Sequence, residues 1–110
     1  WNKAMKLDEY QMRAESTAVY PQEYNVLYPT LGLAGEAGEV ADKVKKIYRD
    51  GKDDARFRGE IAKEIGDVLW YCATLADDLG FSLQQVAEMN IHKLKSRKVA
   101  GTIGGSGDNR

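Results

Sequence analysis

PTLGLAGEAGEVADKVKKIYRDG, residues 29–51, carries a helix's start and stop signals at its two ends. Pro29 and Thr30 suit a helix start. Gly51 readily takes the left-handed backbone on which helices end. The pattern therefore predicts a helix running to about Asp50. Upstream, Leu7, Tyr10, Ala14, Thr17 and Ala18 recur at helical spacing and predict a first helix over residues 5–19. Pro21 closes it, and residues 22–28 read as a connecting loop. Downstream, a third helix is expected from Asp53 or Asp54 to Leu79, with Gly80 as its stop. Ser82-Leu83-Gln84-Gln85 has the form of a capping box, in which the Ser and Gln side chains satisfy free backbone N–H groups reciprocally. It opens a fourth helix reaching about Val99. No run of alternating polarity is long enough for a strand. The expected fold class is all-α, a four-helix bundle-like module.

A chain of 110 residues makes one domain. We place a helical domain over residues 1–100 and a glycine-rich tail over 101–110, four of whose ten residues are glycine. A helical domain of this size often gains core by pairing with another copy. Sixteen basic residues against 17 acidic ones leave a net charge of −1, which argues against a partner that is polymeric nucleic acid or a membrane surface. No apolar stretch approaches the ~20 residues of a membrane span, and no signal peptide is seen. The one cysteine, Cys72, lies in the apolar run Val68-Leu69-Trp70-Tyr71-Cys72-Ala73 and reads as a structural thiol. A reducing cytoplasm fits this usage.

Four carboxylates stand out: Glu36 and Glu39 on the second helix, Glu64 and Asp67 on the third. Each pair is three residues apart and shares a helix face. Each sits among apolar neighbours (Leu31, Leu33, Val40; Ile61, Ile65, Val68, Leu69), where an uncompensated carboxylate is costly. If the two helices pack antiparallel, four oxygen donors converge. Such hard ligands suit Mg²⁺ or Mn²⁺ better than zinc. Spacing alone leaves a second reading open, solvated acidic faces paired with neighbouring lysines. Glu60 aligns with Glu64 as a spare ligand or a solvated charge. Gly35, Gly38 and Gly66 each cost a helix interior roughly 1 kcal/mol relative to Ala, which suggests close approach of a helix or a ligand. Di-iron bundles use Glu-x-x-His motifs; the single His92 forms none and reads as an exposed helix residue.

Lys43 and Lys46 continue the stripe of Glu36 and Glu39, and Asn90, Lys93 and Arg97 share a face of the fourth helix. Cations beside a carboxylate-held metal make a phosphate clamp. Ordinary i,i+4 ion pairs are the alternative, above all for Lys46. Tyr71 lies one turn beyond Asp67 and is placed to stack on a base, whereas Trp70 points to core or a subunit contact. No P-loop or GxGxxG loop occurs.

Taken together, Glu36-Ala37-Gly38-Glu39, a 24-residue spacer from Val40 to Lys63, and Glu64-Ile65-Gly66-Asp67 resemble the ExxE…ExxD pattern of the MazG-like all-α nucleoside triphosphate pyrophosphohydrolases. The blocks around both motifs, and Asn90-Ile91-His92-Lys93-Leu94-Lys95-Ser96-Arg97 with its NxxKLxxR form, extend the likeness over roughly residues 7–100. The resemblance implies a MazG-type module completed by oligomerisation as a homodimer or homotetramer. It implies a Mg²⁺-dependent hydrolase that cuts (deoxy)nucleoside triphosphates to monophosphate and pyrophosphate, a house-cleaning reaction on non-standard or excess dNTPs. Glu36, Glu39, Glu64 and Asp67 would bind the metal, and Glu39 is the candidate general base. Lys93, Arg97 and Asn90 would hold phosphates or sugar, and the first helix, with Gln11, would line a base pocket. Related helical hydrolases of dUTP/dUDP or phosphoribosyl-ATP, and a non-enzymatic metal-stabilised interaction module, are the competing readings.

Overall fold

The computed structural model describes residues 4–101 and is all-α, with no strand among the described residues. Four helices follow in order: α1 (Leu7–Glu15), α2 (Leu27–Asp50), α3 (Ala55–Asp78) and α4 (Leu83–Ala100). A single 3-10 turn, Gln22–Tyr24, lies between α1 and α2. Of the expected tail, residues 102–110 lie outside the described residues.

The helix stops fall where glycine permits a left-handed backbone, with φ of +68° at Gly51, +85° at Gly80 and +75° at Gly101. The starts of α3 and α4 are fixed by side-chain caps. Asp54 accepts the Phe57 N–H at 3.0 Å, and Ser82 and Gln85 form the reciprocal capping box. Three boundaries differ from the sequence expectation by two residues or more, the first being the start of α1, at Leu7 rather than residue 5. α1 ends at Glu15 rather than residue 19, because the Ser16 and Thr17 hydroxyls donate back to the Arg13 and Ala14 carbonyls. These side chains replace the next helical N–H bonds. α2 starts at Leu27, before Pro29, which sits in the first turn where its missing N–H has no intrahelical partner to lose.

The entry to α2 is strained. Val26 takes φ +69°, ψ −53°, and the Leu27 N–H donates to the Asn25 carbonyl at 2.7 Å. This is a γ-turn of the rare, strained hand, with a β-branched residue where glycine is usual. Such a conformation costs about 1–3 kcal/mol and persists only where its surroundings hold it.

α2 and α3 pack antiparallel through a short connection. Contacts rise along one helix as they fall along the other, from Gly32 beside Tyr71 to Lys43 beside Glu60. α1 and α4 pack against α3 and against each other. Their meeting point with α3 is a small core of Ala14, Ala73 and Leu83, ringed by Leu7, Tyr10, Trp70 and Cys72. Gln11 is buried at this junction. Its amide donates to the Ala73 and Phe81 carbonyls at 3.1 and 3.2 Å and accepts the Leu83 N–H at 2.9 Å. Both ends of the side chain are thus used inside the fold, so Gln11 ties α1, α3 and the start of α4 together rather than lining a base pocket.

Candidate active site

The antiparallel register sets Glu36 of α2 opposite Glu64 and Asp67 of α3. One carboxylate oxygen from each of the three lies within 4.8 Å of the others. Glu36 and Glu64 are half-buried and Asp67 is exposed. Glu39, one turn further along α2, is exposed and stands outside the trio. Three of the four sequence-selected carboxylates therefore converge, and the fourth flanks them.

Crowding these acids carries an electrostatic cost. Partial burial, a hydrogen bond to Glu64 and the charges of Asp67, Glu64 and Glu39 push the Glu36 carboxyl above its ordinary range. Lys43 offsets part of the charge, with its ammonium 3.4 Å from Glu64 and 3.6 Å from Glu60. Partial desolvation opposes its charged form, but Glu64 and Glu60 outweigh it and hold the ammonium above its ordinary value. Three hard oxygen donors around one point, on rigid helices and short of positive charge, fit a divalent cation.

The remaining predicted residues each have their own setting. Lys46 is held by Asp42 on its own helix at 3.1 Å, the i,i+4 pairing that spacing allowed. Glu60 is shared between Lys43 and Lys63. Asn90 is exposed on α4, and Lys93 and Arg97 are half-buried on the same helix. His92 is exposed. Cys72 is half-buried, and burial pushes its thiol up. Trp70 donates its indole N–H to the Thr17 hydroxyl at 2.8 Å and packs on the core.

Tyr71 lies against α2. A Cβ on Gly32 would overlap one edge of its ring, so only glycine allows this contact. The glycines singled out by sequence behave differently, since nothing lies within 4 Å of a Cβ at Gly35, Gly38 or Gly66. The close approach within the chain is one turn earlier than expected. Sequence reasoning also passed over Tyr20, Tyr28 and Asp78, which join Tyr71 in one network. They lie on separate segments and so leave no periodic signal. Gly32 did leave one, being four residues before Glu36 on the same face.

The profile of the MazG nucleotide pyrophosphohydrolase domain matches residues 26–100. The chain belongs to the MazG family. The match begins at the strained Val26 and takes in α2, α3 and α4, including the carboxylate trio. Gene 37 protein of Mycobacterium phage L5 is 47% identical over 114 residues, covering 96% of this chain and all of that protein. The uncharacterised protein YvdC of Bacillus subtilis (strain 168) is 39% identical over 72 residues, covering 59% of this chain and 68% of that protein. No solved structure matches the chain significantly. Membership of this family makes the chain a hydrolase of the nucleotide pyrophosphohydrolase type. No helix among the described residues is long and apolar enough to cross a membrane.

Proposed function

We propose that this MazG-family chain is a Mg²⁺-dependent nucleotide pyrophosphohydrolase that cleaves (deoxy)nucleoside triphosphates to the monophosphate and pyrophosphate. House-cleaning of non-standard or excess dNTPs in the cytoplasm is the expected role. The observation that carries the reading is the convergence of Glu36, Glu64 and Asp67 within 4.8 Å, on a chain whose family profile spans all three. Glu36, Glu64 and Asp67 would hold Mg²⁺, with Mn²⁺ as a substitute, and the bound ion would supply charge neutralisation on the phosphoryl oxygens.

The side chains divide the remaining work. Glu39 stands beside the trio without joining it, so its carboxylate is available to take a proton from the attacking water. That water's oxygen bonds to the α-phosphorus, the bridging oxygen between the α- and β-phosphorus atoms leaves with pyrophosphate, and the proton passes to Glu39. Lys43, already directed at Glu64, and Asn90, Lys93 and Arg97 on α4 would bind the phosphates or sugar, with Lys46 further along α2. A homo-oligomer completes the enzyme. Leu31 and Ile65, 64% and 55% exposed, lie on the two helices that carry the carboxylates, where a second copy would cover them.

A nucleotide panel with Mg²⁺ in ¹⁸O-labelled water tests the reading. The expected products are pyrophosphate and a labelled monophosphate, with turnover in Glu39→Gln lowered at least about a hundredfold. Label in orthophosphate, or Glu39→Gln equal to wild type, would count against it.

A further inference from the structure

Tyr20, Tyr28 and Tyr71 come from three segments yet form a continuous row of rings. Tyr20 stacks on Tyr28 with centroids 4.8 Å apart and planes 15° from parallel. Tyr28 meets Tyr71 at 6.3 Å, tilted by 46°. The surface of Tyr71 is largely taken up, by Gly32, by the edge-on ring of Trp70 at 5.0 Å and by Tyr28. Tyr28, in contrast, is 46% exposed. It sits two turns before Glu36 on α2, an axial separation of about 12 Å. A sugar and base can span that distance from a triphosphate held at the carboxylates.

Tyr28 is held in place from behind. One oxygen of Asp78, at the end of α3, accepts both the Tyr20 hydroxyl and the Val26 N–H, each at 2.8 Å. The first bond fixes the ring on which Tyr28 stacks. The second holds the γ-turn that aims the first residues of α2, Tyr28 among them. A strained backbone held by a single carboxylate, at the start of the helix that carries Glu36, is the pattern expected where strain serves positioning.

We propose that Tyr28 is the base-stacking surface for the nucleoside, and that Asp78, acting through Tyr20 and the Val26 amide, is its positioning residue. The proposal rests on the triphosphate reading above and deepens it. Every base has a π face, so stacking on Tyr28 favours nucleoside triphosphates over inorganic triphosphate while tolerating different bases.

Calorimetric titration of the full chain with Mg²⁺ tests this, using α,β-imido nucleoside triphosphates and inorganic triphosphate as the two probes. Wild type is expected to favour the nucleoside probe about tenfold or more. Tyr28→Leu should lose that preference while keeping its affinity for inorganic triphosphate, and Tyr28→Phe should retain it. Asp78→Ala and Tyr20→Phe should lower the preference, and Asp78→Asn, whose amide oxygen still accepts the Val26 N–H, should recover most of it. A folded Tyr28→Leu with the preference intact overturns the stacking assignment. Asp78→Ala weakening both probes equally overturns the positioning role. Either result leaves nucleotide turnover by wild type standing, whereas a wild type that binds neither probe overturns the triphosphate reading and this proposal with it.

Discussion

Gly32 is a residue that helix energetics alone would replace, since Gly costs an interior position about 1 kcal/mol relative to Ala. The ring of Tyr71 occupies the space a methyl group would need. Overpacking of that kind costs about 1–3 kcal/mol, so Gly32→Ala is expected to lower the melting temperature by several degrees. Gly59→Ala, on α3 with nothing within 4 Å of the added Cβ, should raise it slightly. Circular-dichroism melts of the two variants check the contrast, and equal shifts would remove the packing argument. Tyr20 offers a test by pH. Burial, then the hydrogen bond to Asp78, push its hydroxyl from the ordinary 10.0 up to about 12. The folded chain keeps this proton where the unfolded chain has lost it. The stabilisation is therefore complete below about pH 10 and is lost as pH rises through about 12. Wild type should lose stability more steeply than Tyr20→Phe across that window, as followed by urea unfolding at stepped pH.

At the level of the helices, much was legible because the signals are local. Gly51, Gly80 and the Ser82–Gln85 capping box mark boundaries that the backbone obeys. The ExxE and ExxD spacings likewise fix which carboxylates share a face. What was not legible depends on contacts between elements. The register of α2 on α3 brings Glu36, Glu64 and Asp67 together and leaves Glu39 beside them, and no spacing within one helix encodes that register. The start of α2 lies two residues before Pro29 because a strained Val26, held by the distant Asp78, sets it. Gln11 shows the same limit, since its three partners are 62 to 72 residues away in sequence. Gln11→Ala leaves the Leu83 N–H and the Ala73 and Phe81 carbonyls without this partner, a loss of about 1–3 kcal/mol for such unsatisfied groups. Thermal unfolding of Gln11→Ala against the exposed Gln84→Ala should show the first alone destabilised.

The described part of the molecule is loosely drawn together for its length. Its Cα radius of gyration is 16.5 Å, against about 13 Å for a compact chain of this size. The buried core is small, and Leu31, Ile65, Leu69, Met89 and Ile91 remain exposed. Apolar surface of this extent is stabilised by association. Light scattering on the purified chain is expected to give a mass at least about twice the 12.3 kDa of one copy, and a 12.3 kDa species would contradict it. The central claim, that three carboxylates on two antiparallel helices hold the ion that makes a nucleotide pyrophosphohydrolase, is tested most directly by pyrophosphate release measured against added Mg²⁺. Wild type should show no turnover after chelation and saturable recovery with Mg²⁺, while Glu36→Gln and Glu64→Gln stay at least about a hundredfold lower at the same Mg²⁺. Turnover that persists without the metal, or variants that match wild type, would contradict the account.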